Sequence, residues 1–164
     1  MHNLIIGYGN PSRGDDALGP ELLHLLERDR DDGLIATPFD TVTDFQLQIE
    51  HALDLQGRGL VLFIDASVTA TPPFDFIRLE PQRDESYTSH AVSPAAVLSV
   101  YEQVVEAPLP PAFLLALPGN SFELGDTISG ESMHHLQQAR QFVRRLLNNQ
   151  DPLIWSRLAD EREV

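Results

Sequence analysis

The chain is expected to fold as an α/β protein: a three-layer α/β/α sandwich around a twisted sheet of about five strands, mostly parallel, with one antiparallel strand. Three observations predict this. Short runs at residues 3–7, 60–64 and 113–117 are apolar without an alternating polar face, as strands covered on both sides are. Longer stretches between them repeat leucine or valine at helical spacing, and strands alternating with helices imply parallel pairing through crossovers. One alternating segment, residues 74–80, follows a strand with no helix between them, so it is expected to return antiparallel at an edge.

The elements follow in order. Leu4, Ile5 and Ile6 form the first strand, which runs into a turn of Gly7, Gly9, Asn10 and Pro11. Residues 16–29 then place Leu18, Leu22, Leu25 and Leu26 on one face of a helix. Residues 34–38 (LIATP) read as a short second strand, and residues 44–54 as a second helix capped by Thr43 or Asp44. The third strand, Leu60 to Ile64, delivers Asp65 to the carboxyl edge of the sheet. After the 74–80 strand and a polar loop containing His90, Ser93-Pro94 supplies a cap and a first-turn proline for a helix bearing Val97, Leu98, Tyr101, Val104 and Val105. Phe113 to Leu117 is the fifth strand, and residues 131–148 form the longest helix, with Leu136, Ala139, Val143, Leu146 and Leu147 inward. Residues 1–150 form a single domain on this reading, and residues 151–164, charged and weakly periodic, a tail that is disordered or a loose helix.

Whole-chain properties narrow the function. A net charge of −14 over 164 residues repels nucleic-acid phosphate and anionic lipid. No apolar stretch approaches the length of a membrane span, and the first strand starts at once without a leader, so a cytoplasmic protein is expected. The absence of cysteine removes disulfides, thiolate metal sites and a cysteine nucleophile. Any metal must be held by oxygen and imidazole.

In a parallel α/β sheet, ligands bind beyond the carboxyl ends of the strands. That rule selects the Gly7 to Asp16 loop, Asp65 and the loop holding His90. Asp15 and Asp16 both sit where a helix start welcomes carboxylates, but one cap needs only one acid, and the second asks for another role. Asp16, Asp65 and His90 together offer two carboxylates and one imidazole, a set suited to a hard or borderline divalent metal with positions left open for substrate. Each also has a plain structural reading: Asp65 as a turn cap, His90 as a solvated side chain. His2, His24, His51, His134 and His135 are expected in structural or surface roles, and Glu123 and Asp126 as solvated loop acids.

A nucleotide-binding reading fails on its motif, because Ser12 stands where the third glycine of G-x-G-x-x-G would be, and acids at the helix start repel a pyrophosphate. The strand followed by Gly-x-Gly-Asn-Pro also resembles peptidyl-tRNA hydrolases. It continues into Ser12-Arg13-Gly14-Asp15-Asp16 rather than toward that family's catalytic histidine, however, and the acidic charge does not suit a tRNA binder.

Gly7-Tyr8-Gly9-Asn10, then Gly14-Asp15-Asp16 and Gly19, closely resembles the signature of the hydrogenase maturation proteases. These endopeptidases process the large subunit of nickel-iron hydrogenases. The likeness continues through Asp65-Ala66, Ser89-His90 upstream of Ser93-Pro94, and Phe122-Glu123-Leu124-Gly125, and so covers most of residues 3–147. It implies an enzyme that removes a short C-terminal extension from a large-subunit precursor after nickel insertion. The metal-contacting positions would be Asp16, Asp65 and His90, the nickel being supplied by the substrate and no organic cofactor being needed. The turn that in many relatives reads Asp-Gly-Gly-Thr is here Asp40-Thr41-Val42-Thr43, while Gln46 to Glu50 looks more like relatives serving soluble, cofactor-linked hydrogenases. Asp16 replaces the glutamate of some relatives with the same ligand type on a shorter arm. A serine mechanism has no G-x-S-x-G setting here. A monomer is expected, because the active edge must accept a large folded partner. The alternatives are a non-catalytic binder or chaperone that senses the same metal-loaded subunit, or a hydrolase like the peptidyl-tRNA hydrolases.

Overall fold

The computed structural model describes residues 2–83 and 92–162. Five strands, β1 (Asn3–Tyr8), β2 (Phe39–Asp44), β3 (Val61–Ser67), β4 (Asp75–Arg78) and β5 (Ala112–Pro118), form one sheet in the order β2-β1-β3-β5-β4. All neighbours are parallel except β4, which runs antiparallel to β5 at the edge, as the missing crossover helix predicts.

Side chains alternate between two apolar layers. Ile5, Leu62, Ile64 and Phe113 face helices α1 (Leu18–Asp31), α3 (Gly130–Leu147) and α4 (Pro152–Arg162). Leu4, Ile6, Val61 and Phe63 face helix α2 (Pro94–Val104) and a 3-10 helix at Ile49–Leu55. Helix α1 lies almost on the strands themselves: a Cβ on Gly19 would sit 2.6 Å from the Tyr8 carbonyl oxygen and 3.0 Å from that of Ile64. This contact sets the start of α1 directly above the ends of β1 and β3.

The helix α2 begins as its sequence demands, with the Ser93 hydroxyl accepting from the Ala96 N–H at 3.1 Å and proline in its first turn. Ser129 caps α3 in the same way, and Asp29 of α1, fully buried, is gripped by Arg140 and Arg144 of α3 at 2.5 and 3.0 Å. Burial pushes the Asp29 carboxyl up, but the two guanidiniums outweigh it and hold its pKa below the ordinary value.

Three local expectations change, and a fourth, left with two alternatives, is narrowed to one. The second strand is Phe39–Asp44, not residues 34–38: an edge strand needs one buried face only, so FDTVTD looks like loop, while Ile35 is buried as a plug beside α1. The expected helix at 44–54 shrinks to the 3-10 helix Ile49–Leu55, with Asp44 ending β2 and the Gln48 N–H donating to His51 Nδ1 at 2.8 Å. β3 runs on through Asp65 to Ser67, so Asp65 lies within the ladder opposite Ala116. Of the two readings of the tail, disordered or a loose helix, residues 152–162 take the helix: α4 buries Trp155 against Phe113 and Phe76 and sends its indole N–H to the Asn149 carbonyl at 2.9 Å.

Candidate active site

The opening loop separates its two acids. Gly9 adopts φ +147°, and a Cβ there would fall 2.0 Å from the Asp16 carbonyl oxygen, so only glycine lets the loop fold this tightly over the 3-10 turn at Gly14–Ala17. The closure brings the Asn10 N–H to Asp16 Oδ2 at 2.7 Å. That bond orients a half-buried carboxylate whose other oxygen has no protein donor among the described residues.

Asp15 points the opposite way and is fully buried. Its carboxylate accepts the backbone N–H groups of Asn120 at 2.8 Å, Ser121 at 3.2 Å and Ser129 at 2.8 Å, and also the Ser129 hydroxyl. Burial raises its pKa, yet these donors more than compensate and leave it below the ordinary value. It does not cap its own helix. It fastens the loop after β5 and the start of α3 to the opening loop, joining residues 105 to 114 positions apart.

Asp65 has the opposite chemistry. Burial pushes its carboxyl up; the Tyr8 hydroxyl pulls it down, the nearby Asp16 charge pushes it up again, and the Ala66 N–H adds a smaller downward pull. The outcome is a pKa of about 6. Tyr8 is buried, and that burial, with the Asp65 carboxylate nearby, holds its phenol well above the usual range. The sequence reading missed Tyr8; a tyrosine between two glycines at a strand's carboxyl end was the available signal.

Asp16 and Asp65 therefore share one place. Both line a cavity of about 400 Å³ with Tyr8, Gly9, Gln46 and Pro94. Asp16 also lines an adjoining cavity of about 490 Å³ beside Asn10, Arg13, Asp44 and Gln48. His90, the third expected ligand, lies outside the described residues; Val92 to Pro94, which follow it in the chain, border the Asp16–Asp65 cavity. Among the described residues no three histidine, aspartate or glutamate side chains converge as a metal site. The pair would supply oxygen ligands, and a complete site needs a further donor.

The other histidines fall elsewhere. His51 caps the 3-10 helix and lies 3.5 Å from Asp44, His2 contacts Asp40 at 3.3 Å, and His24 is on the exposed side of α1. His134 and His135 are in α3. Glu123 is exposed, and Asp126 accepts the Ser121 hydroxyl at 2.6 Å within the loop that packs on Gly14.

A half-buried carboxyl titrating near neutrality, beside a second carboxylate with an open oxygen, can exchange a proton with water while its neighbour engages a cation. No helix among the described residues is long and apolar enough to cross a membrane.

No protein-family model matches this chain, and no curated protein matches it in sequence. Solved structures do match in shape. The NiFe hydrogenase maturation protease HycI from Thermococcus kodakarensis is 22% identical with a TM-score of 0.66, the match covering 90% of this chain and 93% of that one. The hydrogenase maturating endopeptidase HybD from E. coli is 21% identical with a TM-score of 0.64, over 87% and 90% of the two chains. A hydrogenase 2 maturation peptidase from a Thaumarchaeota archaeon is 21% identical with a TM-score of 0.61, over 90% and 98%. At these identities the likeness establishes a shared fold over nearly the whole length of both partners.

Proposed function

We propose that this protein is an endopeptidase that removes the C-terminal extension of a nickel-iron hydrogenase large-subunit precursor once nickel has been inserted. The observation that carries the reading is the Asp16–Asp65 pair, which the opening motif and β3 bring to one cavity in a fold shared with hydrogenase maturation proteases. Asp16, with one oxygen turned away from protein donors, contacts the nickel of the immature subunit together with His90 and Asp65. Engagement of the metal makes nickel loading a condition for docking and aligns the neighbouring peptide bond. One carboxylate of the pair, Asp16 or Asp65, takes a proton from the attacking water and returns it to the departing amine. Tyr8 lines the same cavity, and its hydroxyl lowers the Asp65 pKa.

The nickel belongs to the substrate, and no organic cofactor takes part. The enzyme acts in the cytoplasm as a monomer. The test mixes purified protein with a large-subunit precursor, nickel-loaded or nickel-free, and follows the subunit's mass. Loss of a short C-terminal fragment from the loaded form alone is the expected result. Binding of the loaded form without any loss of mass would make the protein a binder or chaperone instead.

A further inference from the structure

The sheet has two edges, and the molecule treats them differently. β4, only four residues long, is flanked by α4: Arg162 donates to the Phe74 carbonyl at 2.9 Å, and Arg78 reaches Ser156 at 2.7 Å. Among the described residues β2 carries no such cover, and its backbone register shows what it leaves open. Asp44 gives its carbonyl to the Gly9 N–H at 3.0 Å, so Asp40, Val42 and Asp44 turn their backbone groups toward β1. Phe39, Thr41 and Thr43 turn theirs outward. Arg30 occupies the outward Phe39 carbonyl at 3.0 Å, and Asp44 Oδ1 takes the Phe45 N–H at 2.7 Å. Between these two closures, the N–H and C=O groups of Thr41 and Thr43 have no partner among the described residues.

Nothing along this stretch discourages pairing. It holds no proline, lysine or bulge, the devices that usually blunt an edge, and Thr41-Val42-Thr43 is a strongly strand-forming run. Its two acids are already engaged, Asp40 by Arg58 and His2, Asp44 by His51. The edge also leads to the site. Thr43, Asp44 and Phe45 line a groove of about 470 Å³ against α1, and Phe45, 67% exposed, borders that groove and both cavities that hold Asp16.

We infer that β2 is the docking strand for the substrate: the C-terminal extension of the precursor pairs in extended form with Thr41 and Thr43, passes over Phe45, and so brings the bond to be cut to Asp16 and Asp65. Backbone pairing supplies affinity without reading side chains, while Phe45 offers an apolar stop beside the cavity. The inference rests on the protease reading.

Two measurements test it. With a synthetic peptide of the precursor's extension added to the intact protein, amide exchange at Thr41 and Thr43 slows while that of residues in β4 does not change. In processing assays on the nickel-loaded precursor, Thr43→Pro, which removes an outward N–H and leaves the β1 ladder intact, raises KM about fivefold with kcat unchanged. If Thr43→Pro fails to fold, the exchange measurement on the unaltered chain decides alone. Normal cleavage with no protection at Thr41 and Thr43 overturns the docking strand and leaves the protease standing; failure of the unaltered protein to cut any loaded precursor overturns both.

Discussion

Asp15 and Asp16 are neighbours in sequence and opposites in environment. Asp15 meets three backbone N–H groups and a hydroxyl in full burial, and its pKa falls; Asp16 receives one N–H and faces a cavity beside Asp65, whose pKa rises to about 6. Identical side chains therefore divide into a buried clamp and a carboxylate open to the cavity according to how many donors face them. A carboxylate saturated with hydrogen bonds has no capacity left for chemistry, and one short of them stays available to metal or proton.

That contrast can be broken by substitution, beginning with the largest effect. Asp16→Asn should lower processing about a thousandfold while the melting temperature hardly moves; a variant that unfolds instead would place Asp16 with the clamp. Asp15→Ala strands its buried donors and should cost about 4 kcal/mol of stability, read by denaturant unfolding, with residual activity following the folded fraction. A stable but inactive Asp15→Ala would erase the distinction.

Asp65 tests the sign. Its folded pKa lies above the unfolded value, so the wild type loses stability as pH rises from about 4 through about 6, on the order of 3 kcal/mol in all. Asp65→Asn lacks that loss: it should match the wild type at pH 4, exceed it at pH 7, and fail to process precursor at either. Equal stability at both values would mean that Asp65 is not strained by burial. The smallest effect belongs to Tyr8→Phe, which removes the hydroxyl that lowers the Asp65 pKa. The acid limb of the pH–rate profile should move to higher pH, with stability changed by about 1 kcal/mol; an unmoved limb would detach Tyr8 from the reacting group.

The sequence disclosed elements in proportion to their burial. β1, β3 and β5 lie in the middle of the sheet between two apolar layers, so Leu4 to Ile6, Val61 to Ile64 and Phe113 to Leu117 announce themselves. β2 sits at an edge and is half exposed, and the apolar Ile35 nearby drew the assignment five residues too early. Helix α4 emerges from the sequence only as one alternative to disorder because only Trp155 and Ala159 of it are buried. The positions of Asp16 and Asp65 followed from the rule on strand ends, and the structure brings those two together. The division of labour between Asp15 and Asp16 did not follow, because the donors that capture Asp15 are more than a hundred residues away and no local pattern marks them.

The clamp also orders events in time. The chain leaves the ribosome from its N-terminus, so the opening motif is made early, yet the groups that fix its loop come from the β5 exit and the start of α3. Contacts across such a span form late, because a long loop must close before they can be made. A nascent chain that has released β1 and α1 but not α3 therefore carries the acids without the frame that aims them. The opening loop is therefore fixed only once the last third of the polypeptide is in place.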